Sequence, residues 1–230
     1  MEIHTSQNPI LATATALSAA LETHKNTDIL LLLAGGSALQ VLDEIDTTHL
    51  NEYVTIMMMD ERFSTKASEN NFLQMTQTLF YTKLTNSQCN FIPSIPNEGE
   101  THLDFSKRIE QKLATYIETH PKGTVIALFG IGPDGHTAAI FPMQQELFVD
   151  TYGQGNIYTQ VVYDKNPFAN RSSITPKFIK RYISESFVYA VGEEKLPTLS
   201  TITDPYEPHE MPAHIHHQIG SKLFTDLTLE

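Results

Sequence analysis

Apolar runs and stretches with helical periodicity alternate along most of the chain. Three runs are rich in Leu, Ile, Val and Met, a pattern typical of strands buried on both faces of a sheet, and they cover residues 28–34, 53–59 and 124–129. Shorter apolar runs predict further strands at 157–163, 187–191 and 222–225. Periodic stretches predict helices at 8–24, 37–45, 69–80, 101–120, 176–184 and 194–201.

Capping signals mark the start of two of these helices. Asn8 precedes a proline at the first helical position, and Thr101 with Asp104 resembles a capping box. Because strands and helices alternate, we expect an α/β protein with a Rossmann-like three-layer fold, in which helices flank a mainly parallel central sheet. Residues 90–99 and 144–156 read as surface loops, so a single domain over 1–230 is predicted.

The composition narrows the choice of partners. The chain has 230 residues and a net charge of −12, with only 15 Lys and Arg. Nucleic acids and anionic membranes both require basic surfaces, so neither is an expected partner. If the ligand is a small anion, a few of these 15 cations must make its site locally positive. We expect a monomer or a small homo-oligomer.

Cysteine usage and hydropathy bear on the compartment. Cys89 is the only cysteine, so an internal disulfide is impossible and a reducing compartment is expected. The N-terminal region has no basic segment, and residues 11–21 read as an amphipathic helix rather than a signal peptide. The longest apolar stretch, 29–34, is too short to cross a bilayer. The sequence therefore predicts a cytoplasmic protein.

A glycine-rich turn follows the strand predicted at 124–129. Gly130, Gly132 and Gly135 match the spacing of the G-x-G-x-x-G fingerprint, which would make the chain a nicotinamide-dependent dehydrogenase. That fingerprint needs a long helix after the turn and an acidic residue about 20 positions later. Here a proline follows within two turns and residues 152–156 contain no carboxylate. The turn therefore lacks the context of a dinucleotide site.

The same turn carries Asp134 and His136. An imidazole titrates near neutral pH and can take a proton from water, so His136 is the best candidate for a general base. Asp134 could orient the ring. A loop histidine is often merely structural, but the glycine-rich setting and the adjacent carboxylate favour a catalytic turn.

Four short motifs each follow a predicted strand. They are Gly35-Gly36-Ser37, Asp60-Glu61-Arg62, the turn at 130–136, and Gly192-Glu193-Glu194-Lys195. In open parallel sheets, ligands bind in the crevice beyond the carboxyl ends of the strands. We therefore expect glycines, cations, carboxylates and one histidine to converge at one edge of the sheet.

Some of these motifs have a chemical and a structural interpretation. Gly35, Gly36 and Ser37 suit a phosphate, because small residues let backbone N–H groups approach and the hydroxyl donates another bond. The same glycines could merely form a tight turn. Arg62 can bind an anion or pair with its acidic neighbours at the surface. Lys195 is an ordinary solvated lysine unless its place after a strand and a glycine makes it an anion ligand.

A histidine cluster near the end of the chain comprises His214, His216 and His217. On a strand, the first two rings would share one face and could bind Zn²⁺. No cysteine or suitably spaced carboxylate completes such a site locally, so a solvated polar segment is favoured and no metal is expected.

These motifs together resemble the 6-phosphogluconolactonase family, which belongs to the wider sugar-phosphate fold that includes glucosamine-6-phosphate deaminase. Residues 129–142 are similar to the family signature G-x-G-x-D-G-H-x-A-S-L-F-P. Residues 33–37, 60–62 and 70–72 resemble its S-G-G-S-T, D-E-R and S-N-Y motifs, and 171–176, 192–195 and 211–213 follow in family order. The resemblance thus covers nearly the whole chain.

The resemblance implies hydrolysis of 6-phosphoglucono-δ-lactone to 6-phosphogluconate in the oxidative pentose phosphate pathway, without metal or organic cofactor. His136 would activate the attacking water beside Asp134, Arg62 would hold the substrate or its developing oxyanion, and Asp60 would orient polar groups in the pocket. The residues that would bind the phosphate are Gly35, Gly36, Ser37, Arg171 and Lys195.

The chain also departs from the family pattern. Ala38 replaces the usual threonine of the phosphate loop, which removes a hydroxyl donor and leaves the preferred lactone open. A sugar-phosphate isomerase or deaminase of the same fold is the nearest alternative, but residues 140–142 lack its glutamate and Arg62 stands where it has tyrosine. A non-catalytic sugar-phosphate-binding protein is a further alternative, against which the retained acids and His136 count.

Overall fold

The computed structural model describes residues 1–84, 87–165 and 167–229. The strands in these residues are β1 (Glu2–Thr5), β2 (Ile29–Leu33), β3 (Val54–Met58), β4 (Asp60–Arg62), β5 (Asn90–Ile92), β6 (Thr124–Gly130), β7 (Tyr158–Val162), β8 (Asn170–Ile174), β9 (Glu185–Tyr189) and β10 (Lys222–Thr225). The α-helices are α1 (Pro9–Thr23), α2 (Leu39–Leu42), α3 (Asn71–Met75), α4 (Leu79–Leu84), α5 (His102–Thr119), α6 (Gln145–Tyr152), α7 (Pro176–Tyr182), α8 (Leu196–Ser200) and α9 (Ile215–Gln218). None of these helices is long and apolar enough to cross a membrane.

A seven-stranded parallel sheet forms the centre of the molecule. Its order is β1-β10-β9-β6-β2-β3-β5, and each neighbouring pair runs parallel. The chain leaves β2 towards β3 and β5, then returns to β6 on the other side of β2. The loops after β2 and β6 therefore diverge, and such a switch point leaves a crevice where α/β proteins bind ligands. The predicted α/β fold with a mainly parallel sheet is confirmed.

Burial explains why the central strands read as continuous apolar runs. All residues of β2 and β3 are buried, so both faces of these strands must be apolar. On α1, the buried side chains include Leu17 and Leu21, and this helix contacts β9 and β10. The predicted cap is present: the Asn8 side chain accepts a hydrogen bond from the Leu11 N–H at 3.2 Å.

A small antiparallel sheet lies beside the main one in the order β4-β8-β7. Strand β4 follows β3 almost directly, so it starts at the carboxyl edge of the parallel sheet. Its register places Arg62 opposite Arg171 and Asp60 opposite Ser173. The pairing of β4 with β8 therefore brings together side chains that are about a hundred residues apart in sequence.

Several predicted elements differ from the structure. The helix expected at 37–45 is a 3-10 turn, Gly36–Ala38, followed by the four-residue α2. The helix expected at 69–80 is divided into α3 and α4. The expected loops at 144–156 and 90–99 contain α6 and β5. These short elements carry little periodic signal, and their form depends on tertiary contacts.

Candidate active site

A cleft of about 630 Å³ opens at the carboxyl edge of the parallel sheet. The predicted site residues that line it are Gly35, Gly36, Ser37, Asp60, Arg62, His136, Arg171 and Lys195. The remaining predicted residue, Asp134, lies behind His136 and is hydrogen-bonded to it. The structure therefore brings together the four motifs that follow strands, as the convergence of loops at a sheet edge predicts.

Asp134 holds the His136 ring in one orientation. The Asp134 Oδ1 atom accepts hydrogen bonds from the ring Nδ1 and, at 3.2 Å, from the His136 backbone N–H. Burial alone would raise the pKa of Asp134, but its hydrogen bonds and charge interaction with His136 outweigh burial and lower that pKa below its ordinary value. Since an ionised carboxylate only accepts, Nδ1 carries a proton, and in the neutral ring the lone pair is therefore on Nε2. The pair can thus present a base to the cleft.

Residue 132, which lies against the Asp134–His136 pair, must be glycine. A Cβ atom on Gly132 would overlap the His136 ring and lie 2.7 Å from Asp134 Oδ1. The Phe141 ring packs against the histidine at a centroid distance of 4.9 Å. The imidazole is therefore fixed between the backbone of the turn and a buried aromatic ring.

Three cations face the cleft. Arg62 and Arg171 both stack on Phe168, with the guanidinium carbons 5.1 and 5.7 Å from the ring centroid, and Arg171 Nη1 lies 3.6 Å from Asp60 Oδ2. Lys195 is only 6% exposed, in the 3-10 turn that precedes α8. Burial lowers the pKa of Lys195 and of Arg171. A chain with a net charge of −12 thus concentrates buried positive charge at one place, as an anion-binding site requires.

The loop after β2 is tightly packed against Asn71. A Cβ atom on Gly35 would overlap the Asn71 side-chain oxygen, while Asn71 Nδ2 donates to the Asp60 carbonyl at 3.0 Å. Asn71 therefore joins the glycine loop to the strand that carries Asp60 and Arg62. Because the helix after this loop is short, an oxyanion there would be held by backbone N–H groups and Ser37 rather than by a long helix dipole.

Sequence reasoning did not assign a role to Asn71 or Phe168. Asn71 appeared only as part of a motif, and its position directly after the N-cap of a helix gives no signal of its contact with Gly35. Phe168 lies in a loop without sequence pattern, and only the fold places it against two arginines.

Comparison with known proteins identifies the family. The family model described as glucosamine-6-phosphate isomerases/6-phosphogluconolactonase matches residues 5–225. The chain belongs to this family. No curated protein sequence matches the chain significantly.

Solved structures of similar fold carry the name 6-phosphogluconolactonase. The proteins from Plasmodium vivax and Trypanosoma brucei both give a TM-score of 0.75, at 14% and 16% identity; the matches cover 98% and 97% of this chain and 89% and 95% of theirs. The protein from Thermotoga maritima gives a TM-score of 0.70 at 20% identity, covering 97% of this chain and 96% of its own. At such identities the similarity establishes the shared fold.

The carboxyl group of Glu61, in β4, is buried against the start of α3. Glu61 accepts hydrogen bonds from the backbone N–H groups of Arg62, Asn71 and Phe72 at 2.8, 2.5 and 3.0 Å, and from the Ser94 hydroxyl at 2.8 Å. Burial raises the pKa of Glu61 from its ordinary 4.5 to about 8, although these four donors lower it. Glu61 therefore ties β4 to the start of α3 and does not line the cleft.

This raised pKa predicts a pH-dependent stability. Well below pH 4.5, Glu61 is protonated in both the folded and the unfolded protein, and its contribution to the free energy of unfolding is lost as the pH rises through about 8. Between pH 4.5 and 8, the free energy of unfolding of the wild type should fall relative to that of Glu61→Gln, by on the order of 1 kcal/mol per pH unit. Urea unfolding of both proteins at several pH values measures the difference. A difference that stays constant with pH would contradict the assignment.

The histidine cluster does not lie on a strand. His214 ends a 3-10 turn, Pro212–His214, and His216 and His217 belong to α9. The hypothesis of two rings on one face of a strand is therefore wrong, because a helical segment turns successive side chains to different sides. The expectation of a solvated segment is also wrong for His214 and His216, which are buried, whereas His217 is exposed. Among the described residues, no group of three His, Cys, Asp or Glu side chains is placed to hold a metal ion.

Proposed function

We propose that the protein hydrolyses 6-phosphoglucono-δ-lactone to 6-phosphogluconate. The observation that carries the proposal is the Asp134–His136 pair in a cleft that also presents three buried or half-buried cations. A base beside a cationic pocket suits an ester substrate whose phosphate lies at a distance from the reacting carbonyl. The names of the solved structures support the same reaction.

In the proposed reaction, His136 Nε2 takes a proton from water as the water oxygen attacks the lactone carbonyl carbon. Negative charge develops on the carbonyl oxygen, where Arg62 supplies positive charge. The tetrahedral intermediate then collapses, the bond from the carbonyl carbon to the ring oxygen breaks, and the ring oxygen takes the proton from the imidazolium. The open-chain acid loses its own proton to solvent at neutral pH.

The phosphate is proposed to bind at the other end of the cleft. Arg171 and Lys195 provide charge, and the loop of Gly35, Gly36 and Ser37 provides backbone and hydroxyl donors. Asp60, beside Arg171, is proposed to fix the direction of that guanidinium. Binding energy from the phosphate then positions the lactone for attack.

The domain organisation, substrate class, location, partners and cofactor requirement of the protein are also proposed. The whole chain is proposed to act as one domain, which the family match over residues 5–225 supports. The substrate is a small sugar-phosphate lactone, the protein acts in the cytoplasm, and neither nucleic acid nor membrane is a partner. A lactone is reactive enough that an aimed water and oxyanion stabilisation suffice, so the proposed reaction uses no metal or organic cofactor.

Two substrates distinguish this reaction from that of the isomerases in the same family. The protein is incubated with freshly generated 6-phosphoglucono-δ-lactone and, separately, with glucosamine 6-phosphate. We expect acid release from the lactone well above the spontaneous rate and no ammonia from the amino sugar. Ammonia release without lactone hydrolysis would assign the chain to the deaminases instead.

Replacing Gly132 with alanine should reduce turnover by about tenfold or more with little change in KM. The new methyl group overlaps the His136 ring and displaces the ring from the orientation that Asp134 holds. Gly130→Ala is the matched control, because its Cβ atom meets nothing closer than the Tyr189 carbonyl at 4.0 Å. Kinetics of both variants test the placement of the ring, and equal turnover in the two would refute it.

A further inference from the structure

A line of buried hydrogen bonds leads away from the turn that carries His136. The Thr137 hydroxyl donates to the Gly130 carbonyl at 3.0 Å and lies 2.8 Å from His216 Nε2. The other ring nitrogen, Nδ1, lies 3.1 Å from the Ser221 hydroxyl, which is 2.7 Å from the hydroxyl of Ser186. The line thus joins the end of β6 to β9 and to the start of β10.

Only one arrangement of protons satisfies this line. A carbonyl cannot donate, so the Thr137 hydroxyl gives its proton to Gly130 and must accept from His216 Nε2–H. A neutral ring then has its lone pair on Nδ1, which accepts from the Ser221 hydroxyl, and Ser221 accepts in turn from Ser186. The fold therefore specifies the Nε2–H tautomer of His216.

The surroundings keep the ring neutral. His216 is fully buried and packs edge-on against Phe129 of β6 at a centroid distance of 4.6 Å. Burial lowers the pKa of His216 to about 3. The imidazole is therefore a fixed donor and acceptor rather than a titrating group.

Thr137 closes the catalytic turn. It directly follows His136, its N–H and carbonyl pair with Ile140 at 3.3 and 2.9 Å, and its hydroxyl reaches back to the carbonyl before the turn. The His136 carbonyl also accepts from the Gly132 N–H at 2.9 Å. A donor that fixes the Thr137 hydroxyl consequently fixes the backbone from which the His136 ring projects.

We infer that His216 is a positioning residue for the catalytic turn: its Nε2–H donates to Thr137 and thereby holds His136 in place for the proposed lactone hydrolysis. The inference rests on the proposed function for its kinetic test. The hydrogen-bond line itself can be tested without a substrate.

The kinetic test replaces His216 with phenylalanine, which fills the space and cannot donate. We expect kcat to fall about tenfold and KM to change less than about twofold, because the phosphate-binding cations lie on other elements. His216→Gln, whose amide nitrogen can occupy the place of Nε2, should recover much of the loss. His214→Phe is the matched control, since its ring nitrogen bonds the Ile202 carbonyl at 2.9 Å outside the turn.

Substitutions of Thr137 test the same hydrogen bond if His216→Phe does not fold. Thr137→Val removes the hydroxyl and should lower kcat, whereas Thr137→Ser keeps it and should not. In the double variant with His216→Phe, where this folds, kcat should be no lower than in the slower single variant, because both changes break the same bond. Additive losses, or an equal loss in His214→Phe, would overturn the inference.

Nuclear magnetic resonance of the ring nitrogens gives a readout that does not depend on the reaction. We expect His216 to stay in the neutral Nε2–H form from pH 5 to 8. His216→Phe should shift the amide signals of His136 and Thr137, and His214→Phe should leave them in place. If lactone hydrolysis is absent while these signals behave as expected, the proposed function fails and the positioning contact stands. Unchanged signals in His216→Phe would overturn the inference itself.

Discussion

Replacing His136 with asparagine is expected to reduce turnover of 6-phosphoglucono-δ-lactone by about two orders of magnitude or more. The asparagine amide nitrogen can still donate to Asp134 in place of Nδ1, but no group remains at the position of Nε2 to take the proton from water. Affinity for 6-phosphogluconate should stay nearly unchanged, because the cations proposed to hold the phosphate are on other elements. Steady-state kinetics and calorimetric titration measure the two effects separately.

The control for this variant is His217→Asn, which alters an exposed histidine outside the cleft and should retain full activity. Turnover of His136→Asn equal to the wild type would remove the general-base assignment. A loss of affinity as large as the loss of turnover would instead mean that His136 serves binding rather than proton transfer.

Replacing Lys195 with methionine is expected to raise KM for the phosphorylated lactone between about tenfold and a hundredfold, with kcat changed only a few fold. A buried charge-assisted contact to a phosphate contributes roughly 1.5 to 3 kcal/mol. Methionine preserves most of the volume of the side chain, and Lys195 has no ion pair within the described parts of the chain that the change would break. The measurement is KM for the phosphorylated lactone beside KM for unphosphorylated gluconolactone.

The unphosphorylated lactone separates a phosphate contact from a general disturbance. Its kinetics should be the same in wild type and Lys195→Met, because it lacks the group that the ammonium is proposed to bind. Lys25→Met, an exposed lysine between α1 and β2 at the opposite edge of the sheet, should change neither substrate. An unchanged KM for the phosphorylated lactone in Lys195→Met would exclude Lys195 from the phosphate site.

The central strands and the meeting of the motifs were predictable from the sequence. Strands buried on both faces must be apolar throughout, so β2, β3 and β6 stood out as continuous runs. Motifs that follow such strands converge at one edge for topological reasons. The sequence therefore predicts Ser37, Arg62 and His136 in one cleft.

The small antiparallel sheet was not predictable in the same way. Strand β4 consists of three residues, Asp60–Arg62, and β8 begins with four polar residues in succession. Neither has the alternation of an amphipathic strand, because buried Arg171, Ser172 and Ser173 form polar contacts inside the fold. Arg171 entered the candidate site only through the family resemblance.

The structure of the histidine cluster was likewise not predictable from the sequence. Its spacing would place two rings on one face only if the segment were a strand, whereas proline at the first position of the 3-10 turn and the following residues produce a helical segment. The contact of His216 with Thr137 spans 79 residues and leaves no trace in local pattern. Such long-range polar contacts depend on how the elements pack, so only the three-dimensional structure reveals them.

The most direct test of the proposed function is the initial rate of hydrolysis of freshly generated 6-phosphoglucono-δ-lactone by the wild-type protein. The spontaneous rate is subtracted, and unphosphorylated gluconolactone is measured in parallel. We expect the phosphorylated lactone to be hydrolysed far faster than the unphosphorylated one, which would mean that the phosphate loop functions although residue 38 is alanine. No acceleration by a folded protein that still binds 6-phosphogluconate would contradict the proposed reaction and leave a sugar-phosphate-binding protein.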